Sequence, residues 1–191
     1  KYLAGLVGLA VNVKSDQNIS FQNKYKILEM STNFFIETLN SEKSKNVMEY
    51  LNKRGLDKNI CKEFQIGYAS PRNSDYQLID FLRKKNFKED ELIEIGLVKK
   101  RYNNINGYFY DRIMIPIVST TGKVIGFGGR SINSSEPKYL NSPESEVFKK
   151  RNILFGAYNL KKRNRNFDSI ILCEGYMDVI ALYKFGYPAV A

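Results

Sequence analysis

The sequence changes its periodicity once, near Leu97, and that change bounds the fold. Upstream of it, apolar residues recur at helical spacing. Phe21, Tyr25, Leu28, Phe35 and Leu39 share one face, and Val47, Tyr50 and Leu51 mark a second helix that Gly55 stops. Asp57 is placed to cap a short third helix carrying Ile60 and Phe64. Ser74 or Asp75 begins a fourth with Leu78, Phe81 and Leu82, and a fifth holds Leu92, Ile93 and Ile95 and ends at Gly96. Downstream the runs are short and strand-like. Tyr108-Phe109-Tyr110, Ile113-Met114-Ile115 and Val124 to Phe127 read as strands about a Thr120-Thr121-Gly122 turn, and Pro116 puts its surroundings at an edge or a bulge. Pro137 to Arg151 reads as loop, and Leu154 to Leu160 as a short strand or helix. Ser169 to Cys173 is an apolar strand, Glu174-Gly175 a tight break and Met177 to Phe185 a helix ending at Gly186; Pro188 to Ala191 opens another strand. The expected fold is an α+β subdomain of helices and a small, mainly antiparallel sheet, followed by the first βα unit of an α/β subdomain.

Two absences narrow the chemistry. With no His in 191 residues, His-based general acid–base catalysis, Ser-His-Asp triads and His-ligated metals are excluded. Cys61 and Cys173 are too few for a four-cysteine zinc site or a disulfide framework, which suits a reducing, cytoplasmic setting. Any metal must be held by oxygen ligands, which favours magnesium or its relatives. The apolar run Tyr2 to Val11 is too short to span a bilayer and lacks a cleavage site. It reads as a helix or linker strand, with Ser15-Asp16-Gln17-Asn18 as linker and Ser20 as the cap of the first helix. The Lys start reads as a piece of a longer chain, and no membrane association is expected.

The charge is segregated. Its net value is +10; between Lys99 and Arg165 there are 14 basic and 4 acidic residues, so that third of the chain carries the whole excess. A compositional bias toward Lys accounts for many lysines but not for their segregation, which is the footprint of a polyanion-binding surface.

Candidate chemistry gathers in the same half. Glu174 directly follows the apolar strand, and Asp178 lies four residues on, where an i+4 spacing lets both carboxylates serve one region. At the carboxyl end of a strand such a pair suits a metal or a proton, although a solvated loop Glu and a first-turn Asp complementing the helix dipole fit equally well. Gly126-Phe127-Gly128-Gly129-Arg130 puts a flexible glycine run before an Arg, which suits phosphate but lacks the G-K-[ST] of a Walker loop. Pro137 to Glu144 presents Lys138, Tyr139 and Asn141 on one irregular stretch, and Phe148-Lys149-Lys150-Arg151 follows. Lys neutralises phosphates, and Tyr139 can stack on a base.

These runs, with Glu174-Gly175-Tyr176-Met177-Asp178-Val179, resemble in order the bacterial DnaG-type DNA primases. Tyr50 to Leu56, Ile66-Gly67-Tyr68-Ala69 and Arg112 to Ile117 fit the same family, so the resemblance runs from about Phe21 to Ala191. It implies synthesis of short RNA primers on single-stranded DNA from ribonucleoside triphosphates, by divalent-metal-dependent nucleotidyl transfer. It implies a tail of a zinc-binding module at residues 1–20, a catalytic-core N-terminal subdomain at 21–165 and the start of a Toprim subdomain at 166–191. With the Toprim sheet cut short, Ile170, Ile171 and Leu172 are expected to be poorly covered. Glu174 matches the family's catalytic Glu, and Asp178 its adjacent Asp, for Mg2+ or Mn2+. Arg54, Arg130, Lys138 and Lys150 match its template- and nucleotide-guiding basic groups, beside Tyr139 and Asn141. Zinc, further Toprim aspartates, and contacts to replicative helicase and single-strand-binding protein are implied outside this stretch, in a nucleoid-bound replisome. Phe148-Lys149-Lys150-Arg151-Asn152 replaces the usual phenylalanine, variable residue, lysine, glycine, arginine pattern, which leaves the direction of Arg151 open. A primase fused to a helicase, another Toprim enzyme and a non-catalytic single-strand-binding module share parts of this pattern.

Overall fold

The computed structural model describes residues 13–72, 75–102, 104–133, 136–163 and 166–191. Helix α1 (Val13–Asn40) comes first. Residues 13–20, read from the sequence as a linker capped at Ser20, are therefore helical, and the apolar run before them lies outside the described residues. Ser, Asp and Asn each cost a helix at most about 0.7 kcal/mol against Ala, and no Gly or Pro interrupts this stretch. Ser31 and Thr32, both buried, donate their hydroxyls to the Ile27 and Leu28 carbonyls at 2.8 Å, so the inner face of α1 carries polar atoms at no unpaired cost. A 3-10 turn (Glu42–Ser44) leads to α2 (Lys45–Lys53). In α3 (Lys58–Glu63) the Asp57 carboxylate accepts the Asn59 and Ile60 N–H groups at 3.0 Å, the expected cap. Phe64 lies one residue past that helix, its ring against Phe155 and Tyr183.

Strand β1 (Gly67–Ala69) follows within the half read as purely helical. Helices α4 (Asp75–Lys84) and α5 (Glu89–Glu94) come next; Ser74 lies outside the described residues. Strands β2 (Val98–Arg101) and β3 (Asn104–Gly107) pair as a separate hairpin, and Tyr108 to Tyr110, expected as strand, is the irregular link beyond it. Then β4 (Arg112–Val118) and β5 (Val124–Ser131) form the expected hairpin. Strand β6 (Tyr139–Asn141) lies within the stretch read as loop. A 3-10 turn (Lys150–Asn152), α6 (Ala157–Arg163), β7 (Ile171–Leu172), α7 (Tyr176–Lys184) and β8 (Ala189–Val190) complete the order. Gly55, Gly96 and Gly186 end helices with φ of 77°, 71° and 89°, as their spacing predicts.

The main sheet has the order β1-β4-β5-β6 and is antiparallel throughout. Pro116 sits in an inner strand, yet β1 pairs only with Arg112 to Met114; its missing N–H lies past the end of β1, and the ladder shifts register just beyond, at Ile117/Val118. One face carries Met114 and Phe127 against Ile27, Leu28, Phe35, Leu78 and Leu92 of α1, α4 and α5. The other carries Tyr68, Ile113 and Ile115 against α2, α3, α6 and α7. Strands β7 and β8 are parallel about α7, a βαβ unit, and Val179, Ile180, Ala189 and Val190 share that second core. Ile170, Ile171 and Leu172 stay 55%, 39% and 76% exposed. Among the described residues no helix is long and apolar enough to cross a membrane.

Candidate active site

The two carboxylates stand where the βαβ unit meets the main sheet. Cys173 N–H donates to the Val190 carbonyl at 2.8 Å, so Glu174 projects just past the carboxyl end of β7. Gly175 is the N-cap of α7 and Asp178 lies in its first turn, both carboxylates exposed. Asp178 Oδ2 comes within 3.0 Å of the point where a Cβ on Gly175 would stand, so the bare glycine admits that carboxylate. A cleft of about 540 Å³ opens here, lined by Glu174 and Asp178 on one side and by Tyr139, Asn141 and Lys150 on the other. Phe148, Phe155 and Tyr176 form its apolar wall. Lys150 also borders a second, wider concavity with Glu144, Lys149 and Arg151. The Glu144 carboxylate accepts the Lys150 N–H at 2.8 Å, which fixes this turn while leaving the Lys150 ammonium to the cleft.

The remaining candidates form a ladder behind Tyr139. Arg54 lies 4.9 Å from the Tyr50 ring centre. Arg130 Nε donates to the Tyr50 hydroxyl at 3.5 Å; its guanidinium also donates to the Tyr139 hydroxyl and lies 5.0 Å over that ring. Burial raises the Tyr50 phenol, but Arg130 and Arg54 outweigh it and hold the group below its ordinary value. Arg130 is 6% exposed and supports Tyr139 from within, whereas Lys138 is exposed just before β6. The fold thus brings Tyr139, Asn141, Lys150, Glu174 and Asp178 to one cleft and leaves Arg54, Arg130 and Lys138 outside its lining.

The glycine run is corrected. Gly126 to Gly129 lie inside β5, all buried, and are not a flexible phosphate loop. A Cβ on Gly128 would stand 2.5 Å from Tyr176 Cε2, and one on Gly129 would stand 2.9 Å from Phe109 and Arg112. These glycines are bare because large side chains cross them. Sequence reading also missed Tyr50 as the link between Arg54 and Arg130; its signal was the i,i+4 spacing to Arg54 on one helix face.

The donor set suits a hard cation. Glu174 and Asp178 offer carboxylate oxygens, and the cleft has room for the waters that magnesium retains. No group of three or more potential ligands occurs among the described residues.

The family described as DNA primase catalytic core, N-terminal domain, matches residues 34–161. The chain belongs to this family. The DNA primase of Clostridium acetobutylicum is 35% identical over 191 residues, covering 97% of this chain and 31% of that protein. The DNA primase of Pseudomonas putida is 40% identical over 165 residues, 85% of this chain and 25% of that one. A solved DnaG primase catalytic domain bound to single-stranded DNA superposes with a TM-score of 0.81 at 32% identity, covering 91% of this chain and 54% of that one. The chain thus spans a third or less of the curated relatives named here. Within this primase core, the matched segment holds Arg54, Arg130, Lys138, Tyr139, Asn141 and Lys150, while Glu174 and Asp178 follow it.

Proposed function

We propose that this chain supplies part of the active centre of a DNA primase, with residues 166–191 opening its Toprim subdomain. The complete enzyme then makes short RNA primers on single-stranded DNA from ribonucleoside triphosphates. The observation that carries this reading is the cleft in which Glu174 and Asp178 face Lys150, Tyr139 and Asn141. The likeness to a DnaG catalytic domain bound to single-stranded DNA supports its occupant. A magnesium or manganese ion held by Glu174 and Asp178 supplies charge neutralisation at the triphosphate and favours ionisation of an attacking hydroxyl. Lys150 faces the phosphates across the cleft and balances their charge. Tyr139, 41% exposed, offers its ring to a base, with Arg130 held against its other side. Asn141 offers a hydrogen-bonding edge, while Lys138 and Arg54 take template phosphates outside the cleft. Zinc, the further acidic ligands and the contacts to helicase and single-strand-binding protein fall to other parts of the complete protein, which works in the nucleoid.

The test is Glu174→Gln in the complete protein. Primer synthesis is expected to fall about a thousandfold, as suits several kcal/mol of charge stabilisation lost, while single-stranded DNA affinity stays within about twofold. Unimpaired synthesis would remove Glu174 from the reaction.

A further inference from the structure

The acidic and basic walls of the cleft belong to different elements, and one side chain joins them. Glu174 and Asp178 flank the start of α7; Tyr139 and Asn141 lie on β6. Tyr176, the first residue of α7, reaches from one to the other. Its Cε2 stands 2.5 Å from where a Cβ on Gly128 would be, so the ring presses on the bare backbone of β5. Gly128 pairs with Asn141 in the β5–β6 ladder, and Asn141 Oδ1 lies 3.3 Å from that same point. The Tyr176 ring centre is 4.5 Å from that of Phe155. Phe155 is itself fixed to the end of β8, donating its N–H to the Ala191 carbonyl at 2.7 Å and accepting the Ala191 N–H at 3.1 Å.

The core side of this helix start is held by buried Val179, close over Gly156; on the cleft side the Tyr176 hydroxyl also bonds to the Asn141 side chain. The N-cap Gly175 has no side chain to give, and β7 is two exposed residues. The far end is differently secured: Lys184 Nζ donates to the Gly55 carbonyl at 2.7 Å and pairs with Asp57 at 3.3 Å. We infer that Tyr176 is a positioning residue, its ring seated on Gly128 so that Glu174 and Asp178 stand at a fixed place opposite Asn141 and Lys150. The inference rests on the reading of those carboxylates as the metal-holding pair. Partners that orient metal ligands without touching the metal commonly govern affinity about as strongly as tenfold or more each.

The experiment uses the complete protein, with Mn2+ affinity read from the paramagnetic resonance of free Mn2+, and with template affinity and the Mg2+ dependence of synthesis beside it. Tyr176→Ala and Gly128→Ala, which break the contact from opposite sides, are each expected to weaken Mn2+ binding by about tenfold. The Mg2+ needed for half-maximal synthesis rises by the same factor, with template affinity unchanged. Because both variants remove one contact, the double variant is no worse than either alone. Tyr176→Phe keeps the ring and loses only the hydroxyl's bond to Asn141, so it is expected to bind Mn2+ closer to wild type than either alanine variant. Tyr176→Leu, which retains apolar bulk without a ring, serves if the alanine variant does not fold, and the same weakening is expected. Folded variants that bind Mn2+ as tightly as wild type overturn the inference. Glu174→Gln separates the two levels. If it leaves Mn2+ binding and synthesis intact, the carboxylate reading fails whatever Tyr176 does; if it abolishes both while the Tyr176 and Gly128 variants bind normally, only the positioning role fails.

Discussion

At the scale of single residues, surroundings decide what identical side chains do, and the two thiols show it. Cys61 is 6% exposed, its Sγ 3.6 Å from the Leu56 carbonyl, and burial, with the Asp57 charge adding to it, pushes the thiol up to about 11. The folded value lies above the ordinary 9.0, so the fold favours the neutral thiol; that contribution is whole below pH 9 and is lost as pH climbs through about 11. A thiol reagent at about pH 8 is expected to modify the half-buried Cys173 in the native protein and Cys61 only in denaturant. The urea midpoint should fall between pH 9 and 11 in the wild type and by less in Cys61→Ala. Equal reactivity of both thiols would refute this. Residue roles fixed by near neighbours were legible in the sequence, as with the Asp57 cap and the helix-ending glycines, because their partners lie within a turn. The burial of Arg130 was not, because its partner Tyr50 lies 80 residues away. Nor was the purpose of Gly128, which only the crossing Tyr176 ring explains.

At the scale of elements, two glycines separate steric crowding from backbone strain. Helix α1 crosses β1 so closely that a Cβ on Gly67 would stand 2.5 Å from the Phe35 carbonyl carbon and from its Cβ. Gly67→Ala must part helix from strand, an overpacking expected to cost about 2 kcal/mol or more. Gly55, at φ 77°, has nothing nearer than 3.9 Å to such a Cβ, so Gly55→Ala meets only the left-handed backbone penalty, about 1 kcal/mol. Urea titrations should show both as lowered midpoints at unchanged slope, Gly67→Ala the larger; the reverse order would show that the helix yields easily. The long helices were readable because several turns repeat the apolar spacing. Strands β1 and β6, three residues each, are too short to display alternation, and β6 is framed by prolines that read as loop. Strand β7 is apolar, as read, but only two residues of it pair, and they stay exposed.

At the scale of the whole molecule, the fold turns a linear charge excess into a directed one. Among the described residues several acidic side chains are engaged: Glu63, Asp57, Asp80, Glu89, Glu94 and Glu146 pair with cations, and buried Lys24 ties α1 to both Glu94 and Glu146. The excess between Lys99 and Arg165 could be read without a structure, since it is a sum over sequence. The direction each cation faces could not: Lys150 lines the cleft, Lys138 stands exposed just before β6, and Arg130 is buried behind Tyr139. The difference is measurable as counterion release. When the complete protein binds single-stranded DNA, the logarithm of affinity should fall linearly with the logarithm of salt concentration. A cation on a phosphate contributes about one unit to that slope. Lys138→Ala is expected to weaken binding and to lower the slope by about one. Lys43→Ala serves as the control, since Lys43 is also exposed but lies on the turn before α2, outside the Lys99 to Arg165 stretch that carries the charge excess. It is expected to leave the slope unchanged. Equal slopes for the two variants would mean that the DNA feels the total charge and not the face that β6 presents.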